Sequence, residues 1–447
     1  MSFWRLTKNT CLSTHSEEER NNAIMNINIL DYGAVADGKT VCTKEIQAAI
    51  DDCSVAGGGR VIVPAGAFVS GTLWLKNHVE LHLEHGARLI ASRNQNDYNA
   101  LDAYEQNQSY LPEQWIGQHF ILCVEQEDVA ITGSGTIDGS GDAFIGEPYD
   151  YGVYNWIHGI AQAKDENHPR PGQLICFIES KNILVEDVTI TNTPMWTLFL
   201  HGSEIISIRG IKVFNPNWCG NTDGIDIDAC KYVTVSDCII LTGDDAFAIR
   251  CDAPRLKDKT KTSEYITITN CVVSTSASAI RFGVGEGAIR HVQVSNLTIR
   301  EAGVMFSICS AFNGGGCVEL EDIHIQNVSA KDVCRPIVME DMNNAGIHNV
   351  TLSDMQIESK YGCAFFTSTK GSIKDIVIRN VTMEIQEDES KFHETTDAAI
   401  IECEGIQESL FDNVKIKVAE KARDWWKHDI RFKDCEDVEL YRCKCRQ

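Results

Sequence analysis

Nowhere in these 447 residues is there an apolar run long enough to cross a bilayer, and Met1 to Met25 carries charge without the apolar core of a signal peptide. That excludes a helical membrane protein, and the expectation is a soluble, cytoplasmic chain with no membrane partner. Cations are scarce as well: 40 Lys and Arg face 64 Asp and Glu, a net charge of -24. The balance argues against nucleic acid as a partner, and it repels polyanions at long range, so an acidic substrate would need a local basic patch. Helical periodicity is nearly missing. Its best stretch is Thr43 to Cys53, where Ile46, Ala49, Ile50 and Cys53 share one face and Thr43 is placed to cap.

Ligand patterns for metals are also lacking. His78, His82 and His85 alternate on one early strand, but no carboxylate group completes a zinc set, and Cys435, Cys443 and Cys445 have no histidine at finger spacing. The run Gly283-Val284-Gly285-Glu286-Gly287 leads into a strand, which excludes a dinucleotide loop. No metal or cofactor is expected. Cysteine itself is plentiful, with 18 in the chain, and many fall in strand-like runs (Cys176, Cys238, Cys251, Cys271, Cys309). There a thiol acts as a small core hydrophobe, which fits a reducing compartment better than a disulfide framework.

What the chain does have is a repeat. Two apolar residues alternate with two others, then comes a short polar residue or glycine: Ile183 to Asp187, Ile266 to Asn270, Val292 to Asn296, Ile376 to Asn380. The closing residues Asp187, Gly210, Asp237, Asn270, Asn296, Asn327, Asp354, Asn380 and Asn413 are spaced by 23, 27, 33, 26, 31, 27, 26 and 33. Short alternating strands at this period predict one coil per repeat, stacked in parallel: a single all-β, right-handed parallel β-helix. Residues 27–447 form that domain with its terminal caps, after an N-terminal extension at 1–26. The helix at Thr43 covers one open end, and Ala422 to His428 is a candidate cover for the other. Uneven spacing means loops that wall a groove, the longest at Tyr98 to Gln118 and Ser140 to Gln173. The sequons at Asn296 and Asn380 fall on ladder positions, which explains them as structure.

Two neighbouring coils carry the chemistry, Asn221-Thr222-Asp223-Gly224-Ile225-Asp226-Ile227 and Gly243-Asp244-Asp245-Ala246-Phe247-Ala248-Ile249. Aligning Ile227 with Ile249 and Ile225 with Phe247 sets Asp223 beside Asp245 and displaces Asp244 by one step. Paired strands lie about 4.8 Å apart, so three carboxyls reach one glycosidic bond and its water. An isolated aspartate in a solenoid is ordinarily a turn residue. Three at this spacing, with Gly224 and Gly243 to free the backbone from strict alternation, point to a site. Asp226 should point outward, as a substrate contact or a solvated residue.

These motifs, with Asn28 to Thr40, Gly57 to Gly66, Gly133 to Gly139 and Thr193-Pro194-Met195-Trp196, resemble glycoside hydrolase family 28, the polygalacturonases and rhamnogalacturonases. The resemblance covers roughly residues 27 to 415. It implies that Asp244 is the general acid protonating the leaving oxygen, and that Asp223 and Asp245 activate water for a single inverting displacement. Acid and base would then stand about 6.5–9.5 Å apart, and a close cluster would retain one proton, most naturally on Asp244. The substrate it implies is a pectic, galacturonic-acid-containing oligosaccharide.

The chain departs from the family at two places. The Gly-His-Gly run of the next coil and the Arg-x-Lys that grips the substrate carboxylate are missing. Ser276 to Gly283 occupies the first position, shifted 33 residues from the Gly-Asp-Asp coil, so that Ser278 stacks on Asp245. Arg281 continues the outward column Asp226, Ala248, Arg281, either as a replacement carboxylate clamp or as a partner of Asp226. The coil Ala302 to Ser307 offers no cation. Further groove candidates are Trp196, as core or sugar platform, His201, as groove or surface histidine, Trp218, Asn221, Glu286, and Arg250, which is also placed for a salt bridge.

These departures shift the expectation from endo-hydrolysis of plain homogalacturonan to action at a chain end. A rhamnogalacturonan-type hydrolase and a non-catalytic carbohydrate-binding β-helix are the alternatives. A β-elimination lyase lacks the calcium-type acidic cluster and basic lysine it needs. Oligomeric state is not legible.

Overall fold

The computed structural model describes residues 25–109, 115–146, 169–312, 316–390 and 397–444. Nearly all of the extension at 1–26, parts of both long loops and Cys445 lie outside the described residues. The rest is a right-handed parallel β-helix, as the repeat predicts.

Each coil contributes up to three strands to three parallel sheets, and one sheet carries the candidate site. Its central strands are β1 (Ile175–Ile178), β2 (Leu198–His201), β3 (Ile225–Asp228), β4 (Phe247–Asp252) and β5, a run of extended backbone over Ser278–Cys309 that continues through all three sheets. The register is the one the repeat implies: Ile225 sits on Phe247, Ile227 on Ile249, and Ala248 on Arg281. Inward residues form the core, with Phe247, Phe282 and Phe306 fully buried in it.

Corners hold the stack. All nine closing residues, from Asp187 to Asn413, adopt the left-handed conformation, with φ between 55° and 66°. Glycine takes that conformation freely, and Asn and Asp take it more readily than other side chains. Their amides then link coil to coil, as in Asn296 Nδ2 to Asn270 Oδ1 at 3.0 Å and Asn413 Nδ2 to Asn380 Oδ1 at 2.9 Å. The sequon asparagines are members of this ladder.

Helix α1 (Thr43–Val55) seals the first coil with Ile46, Ala49, Ile50 and Cys53 wholly buried. Its cap differs from the expectation. The N-cap residue is Cys42, which makes no side-chain capping bond, while Thr43 Oγ1 accepts from the Gly71 N–H at 2.7 Å and so ties the helix to the coil below. The segment Ala422 to His428 is not a terminal cover either. It enters another strand, Trp426–Lys433, that pairs with Ala398–Glu404, and a further strand, Glu436–Tyr441, follows. Cys435 and Cys443 donate to the Cys403 and Phe411 carbonyls.

Phe282 fills the core directly above Ile249. Phe282→Ala should lower unfolding free energy by about 3–5 kcal/mol, read from urea denaturation followed by tryptophan fluorescence.

Candidate active site

Asp223 precedes β3, and Asp244 and Asp245 precede β4, so the same register that aligns these strands brings the three side chains together. One oxygen of each lies within 4.8 Å of the others. Two close approaches make this possible. A Cβ on Gly224 would sit 2.4 Å from the Ala246 carbonyl oxygen, and one on Gly243 would sit 2.1 Å from that of Cys219. The glycines are there for space, not for the conformational freedom expected of them, since neither has a positive φ.

Each carboxyl is held differently. Asp244 Oδ2 accepts from the Asn221 N–H at 2.8 Å, and its Oδ1 accepts from the Asp245 N–H at 2.9 Å. Asp245 Oδ1 accepts from the Ser278 N–H at 2.8 Å, and its carboxyl forms an ion pair with Arg281. Asp223 Oδ1 is buried without a hydrogen-bond partner. Burial, then the neighbouring Asp245, pushes Asp244 up to about 6, against the two N–H donors and Arg281. Burial, followed by Asp244, Asp226 and Asp245, raises Asp223 well above the usual carboxylate range, with Arg250 opposing. Asp244 and Asp223 thus both favour the protonated form, so the proton expected on Asp244 has a competing holder in Asp223.

The trio floors a cavity of about 360 Å³. Trp196, Asn221, Arg250, Arg281 and Glu286 also line it, as expected from the sequence. Arg281 is paired with Asp245 rather than with Asp226, and its guanidinium lies 4.9 Å from the Phe312 ring centre. The Trp196 ring carries the Arg250 guanidinium at 4.3 Å while also packing against Trp115 and Phe199, so it is both site wall and satellite core. Val284, Gly285 and Glu286 bulge into the cavity where the β4–β5 register shifts.

Four candidates are placed elsewhere. Ser278 is buried and acts on Asp245 through its backbone N–H, with its side chain away from the cavity. His201 is neither a groove nor a surface residue: it is wholly buried, stacked on Phe199, with Nδ1 3.5 Å from Asp228 Oδ2. Asp226 does not meet solvent or substrate but lies under the floor, fully buried, neither oxygen hydrogen-bonded and the Arg250 guanidinium 3.9 Å away. The strand pleat does turn it outward, but towards Arg250, whose guanidinium lies against the Trp196 ring. Trp218 is part-exposed and outside the cavity lining.

Lining residues with no repeat signal come from the ends and connections of the coils: Gln108 and Trp115 from the first long loop, Asp252 at the end of β4 with Pro254 and Arg255 after it, and Phe312 and Gly316 after β5. Among the described residues, the three aspartates are also the one carboxylate, histidine or cysteine group close enough to share a metal ion, with Arg281 competing for Asp245. The closest-oxygen spacing is shorter than the usual separation of an inverting acid and base.

Set against known proteins, residues 53–428 match the signature of the glycosyl hydrolases family 28. A probable polygalacturonase of Vitis vinifera is 27% identical over 366 residues, covering 79% of this chain and 69% of that one. An exo-poly-alpha-D-galacturonosidase of Dickeya chrysanthemi is 26% identical over 399 residues, covering 82% of this chain and 65%, just under two thirds, of that one. The family 28 exopolygalacturonase structure of Yersinia enterocolitica superimposes with a TM-score of 0.73 at 19% identity, covering 93% of this chain and 78% of the other. That of the Thermotoga maritima exopolygalacturonase gives 0.63 at 22%, covering 93% and 92%. Likeness at these identities establishes the shared fold.

The raised Asp226 carboxyl has a consequence for stability. Burial, chiefly, then Asp245, Asp228 and Asp244, keeps its proton on in the folded state, with Arg250 opposing. A carboxyl raised on folding stabilises fully below its unfolded value, and that contribution is lost as pH rises through the folded value. Asp226→Asn should therefore flatten the fall of Tm on the alkaline side. Asp228 is the opposite case: burial disfavours its charge, yet His201, Arg250 and the Asp252 N–H hold it below the usual range, so its contribution is lost towards acid pH. That acid-side fall should survive in Asp226→Asn, as thermal melts from pH 4 to 9 would show.

Proposed function

The chain belongs to the glycosyl hydrolases of family 28, as a glycoside hydrolase of polygalacturonase type, and on that premise we propose that it cleaves α-glycosidic bonds at the end of galacturonic-acid-containing pectic oligosaccharides. The observation that carries this reading is the close trio of buried Asp223, part-buried Asp244 and buried Asp245 on the floor of a small cavity. Asp244 is the general acid. It approaches the leaving oxygen with its proton on, because burial and Asp245 favour the neutral form up to about pH 6. Asp245, oriented by Arg281 and the Ser278 N–H, deprotonates the attacking water, and Asp223, whose proton burial and its acidic neighbours favour, orients it. As Asp244 gives its proton to the departing sugar oxygen and is left as a carboxylate, the bond from the anomeric carbon to that oxygen breaks, the water oxygen bonds to the same carbon, and the proton taken from water settles on Asp245. The products are two shorter saccharides, and the site is reset by return of the proton to Asp244.

Action at a chain end is supported by the walls. Gln108 and Trp115 rise from coils before the trio, and Val284 to Glu286, Phe312 and Gly316 from coils after it. The volume they leave suits a small ligand rather than a polymer lying through an open groove. The exo-acting Dickeya relative and the two exopolygalacturonase structures point the same way.

The second reading is a rhamnogalacturonan-type substrate, with a neutral sugar at one side of the bond. It draws on one observation: each arginine lining the cavity already has a carboxylate partner, Arg250 with Asp226 and Asp228, Arg255 with Asp252, and Arg281 with Asp245. A reducing, cytoplasmic setting is part of the proposal, supported by cysteines that are all free thiols among the described residues.

Oligosaccharides of defined backbone separate these readings by which bond is cut and from which end. Proton NMR of the earliest product should show the β-anomer from an α-linked substrate. An initial α-anomer would mean retention, for which a carboxyl spacing of about 5 Å is usual. Asp244→Asn should lower kcat at least about 100-fold on whichever substrate is cut.

A further inference from the structure

A buried arginine outside the cavity reaches the acid through one residue. Arg170 has no exposed surface and is not among the residues lining the cavity. Its guanidinium donates to the Gly220 carbonyl at 3.1 Å and to Asn221 Oδ1 at 2.5 Å. Asn221 stands in the left-handed region, φ 58°, and its N–H is the one donated to Asp244 Oδ2 at 2.8 Å. Asparagine enters that conformation more readily than most side chains, so the direction of its N–H is set by what holds the turn. Arg170 grips both the carbonyl preceding Asn221 and the side chain of Asn221, so it clamps this turn from two sides.

We propose that Arg170 is a positioning residue: by clamping the Gly220-Asn221 turn it aims the Asn221 N–H at Asp244 and so sets the orientation of the general acid. The inference rests on the assignment of Asp244 as the acid. Arg170 also belongs to the wall of the site, because the short strand Arg170–Pro171 pairs with Trp115–Ile116, and Trp115 lines the cavity. One segment thus connects the wall that limits the cavity to the group that protonates the leaving oxygen. The groups facing Asp244 are Cys219 and Asp223 from the turn and strand before it, Asp226 further along β3, Asp245 beside it, and Arg281 from β5. Against these, the Asn221 N–H is one of two backbone donors favouring the carboxylate, and losing it leaves burial and Asp245 less opposed.

The test uses leaving-group dependence. A natural oligosaccharide needs its leaving oxygen protonated, whereas an aryl α-galacturonide with a nitrophenol leaving group does not. Arg170→Met should lower kcat on the oligosaccharide at least about 30-fold, and on the aryl glycoside less than about threefold, within the range that a general acid contributes. KM should stay close to wild type, and the alkaline limb of the kcat/KM profile should move to higher pH. Arg170→Lys, which keeps one donor, should recover part of the oligosaccharide rate and guards against misfolding of the methionine variant. Equal losses on both substrates, or a rise in KM with an unmoved pH profile, would show that Arg170 only holds the loop. If the wild-type protein cleaved neither substrate, the failure would lie with the proposed function and not with the clamp.

Discussion

Everything in this molecule depends on the in-register stacking of one coil on the next. Parallel strands about 4.8 Å apart leave no freedom in which side chains become neighbours once the alternation is set, because a one-residue slip would turn each core residue outward. The register that buries Ile225 on Phe247 and Ile227 on Ile249 is the same one that gathers Asp223, Asp244 and Asp245. Core and site are therefore not separate designs. The hydrophobic ladder specifies the spacing of the three carboxyls, and the left-handed Asn and Asp corners keep the ladder from slipping.

Stacking also creates the electrostatic tension of the site. Two successive coils gather four acids, Asp223 and Asp226 from one and Asp244 and Asp245 from the next, and all but Asp244 are buried. Ionising all of them would be costly. The structure meets this in two ways. Guanidinium groups from later positions, Arg250 and Arg281, sit against Asp226, Asp228 and Asp245. The remaining carboxyls keep protons, and one of those protons is what an acid catalyst needs.

Much of this was legible in the sequence because it is periodic. The anchor spacing revealed the coils, the two Gly-and-Asp motifs revealed the trio, and the 33-residue shift placed Arg281 in the right column. What was missed lies where periodicity stops. Trp115 and Arg170 stand on a small two-stranded sheet outside the coil ladder, and Arg255 and Phe312 on connections between coils, whose course no repeat dictates. Depth was missed as well: alternation says that Asp226 and His201 point out from the core, but not that Asp226 is fully buried beside Arg250 or that His201 packs on Phe199. Thr43 looked like a cap because the capping rule is local, while its hydroxyl answers to Gly71 on another coil.

The central claim is that the register places a protonated Asp244 among ionisable neighbours. Carbon-13 NMR of aspartate carboxyls tests it most directly, with Asp244→Asn as the assignment control. The account predicts a carboxyl resonance whose midpoint lies near 6 and which is lost in Asp244→Asn, with the signals of Asp223 and Asp245 shifting in that variant. A spectrum in which every aspartate that Asp244→Asn perturbs titrates near 4, as an isolated aspartate does, would contradict it.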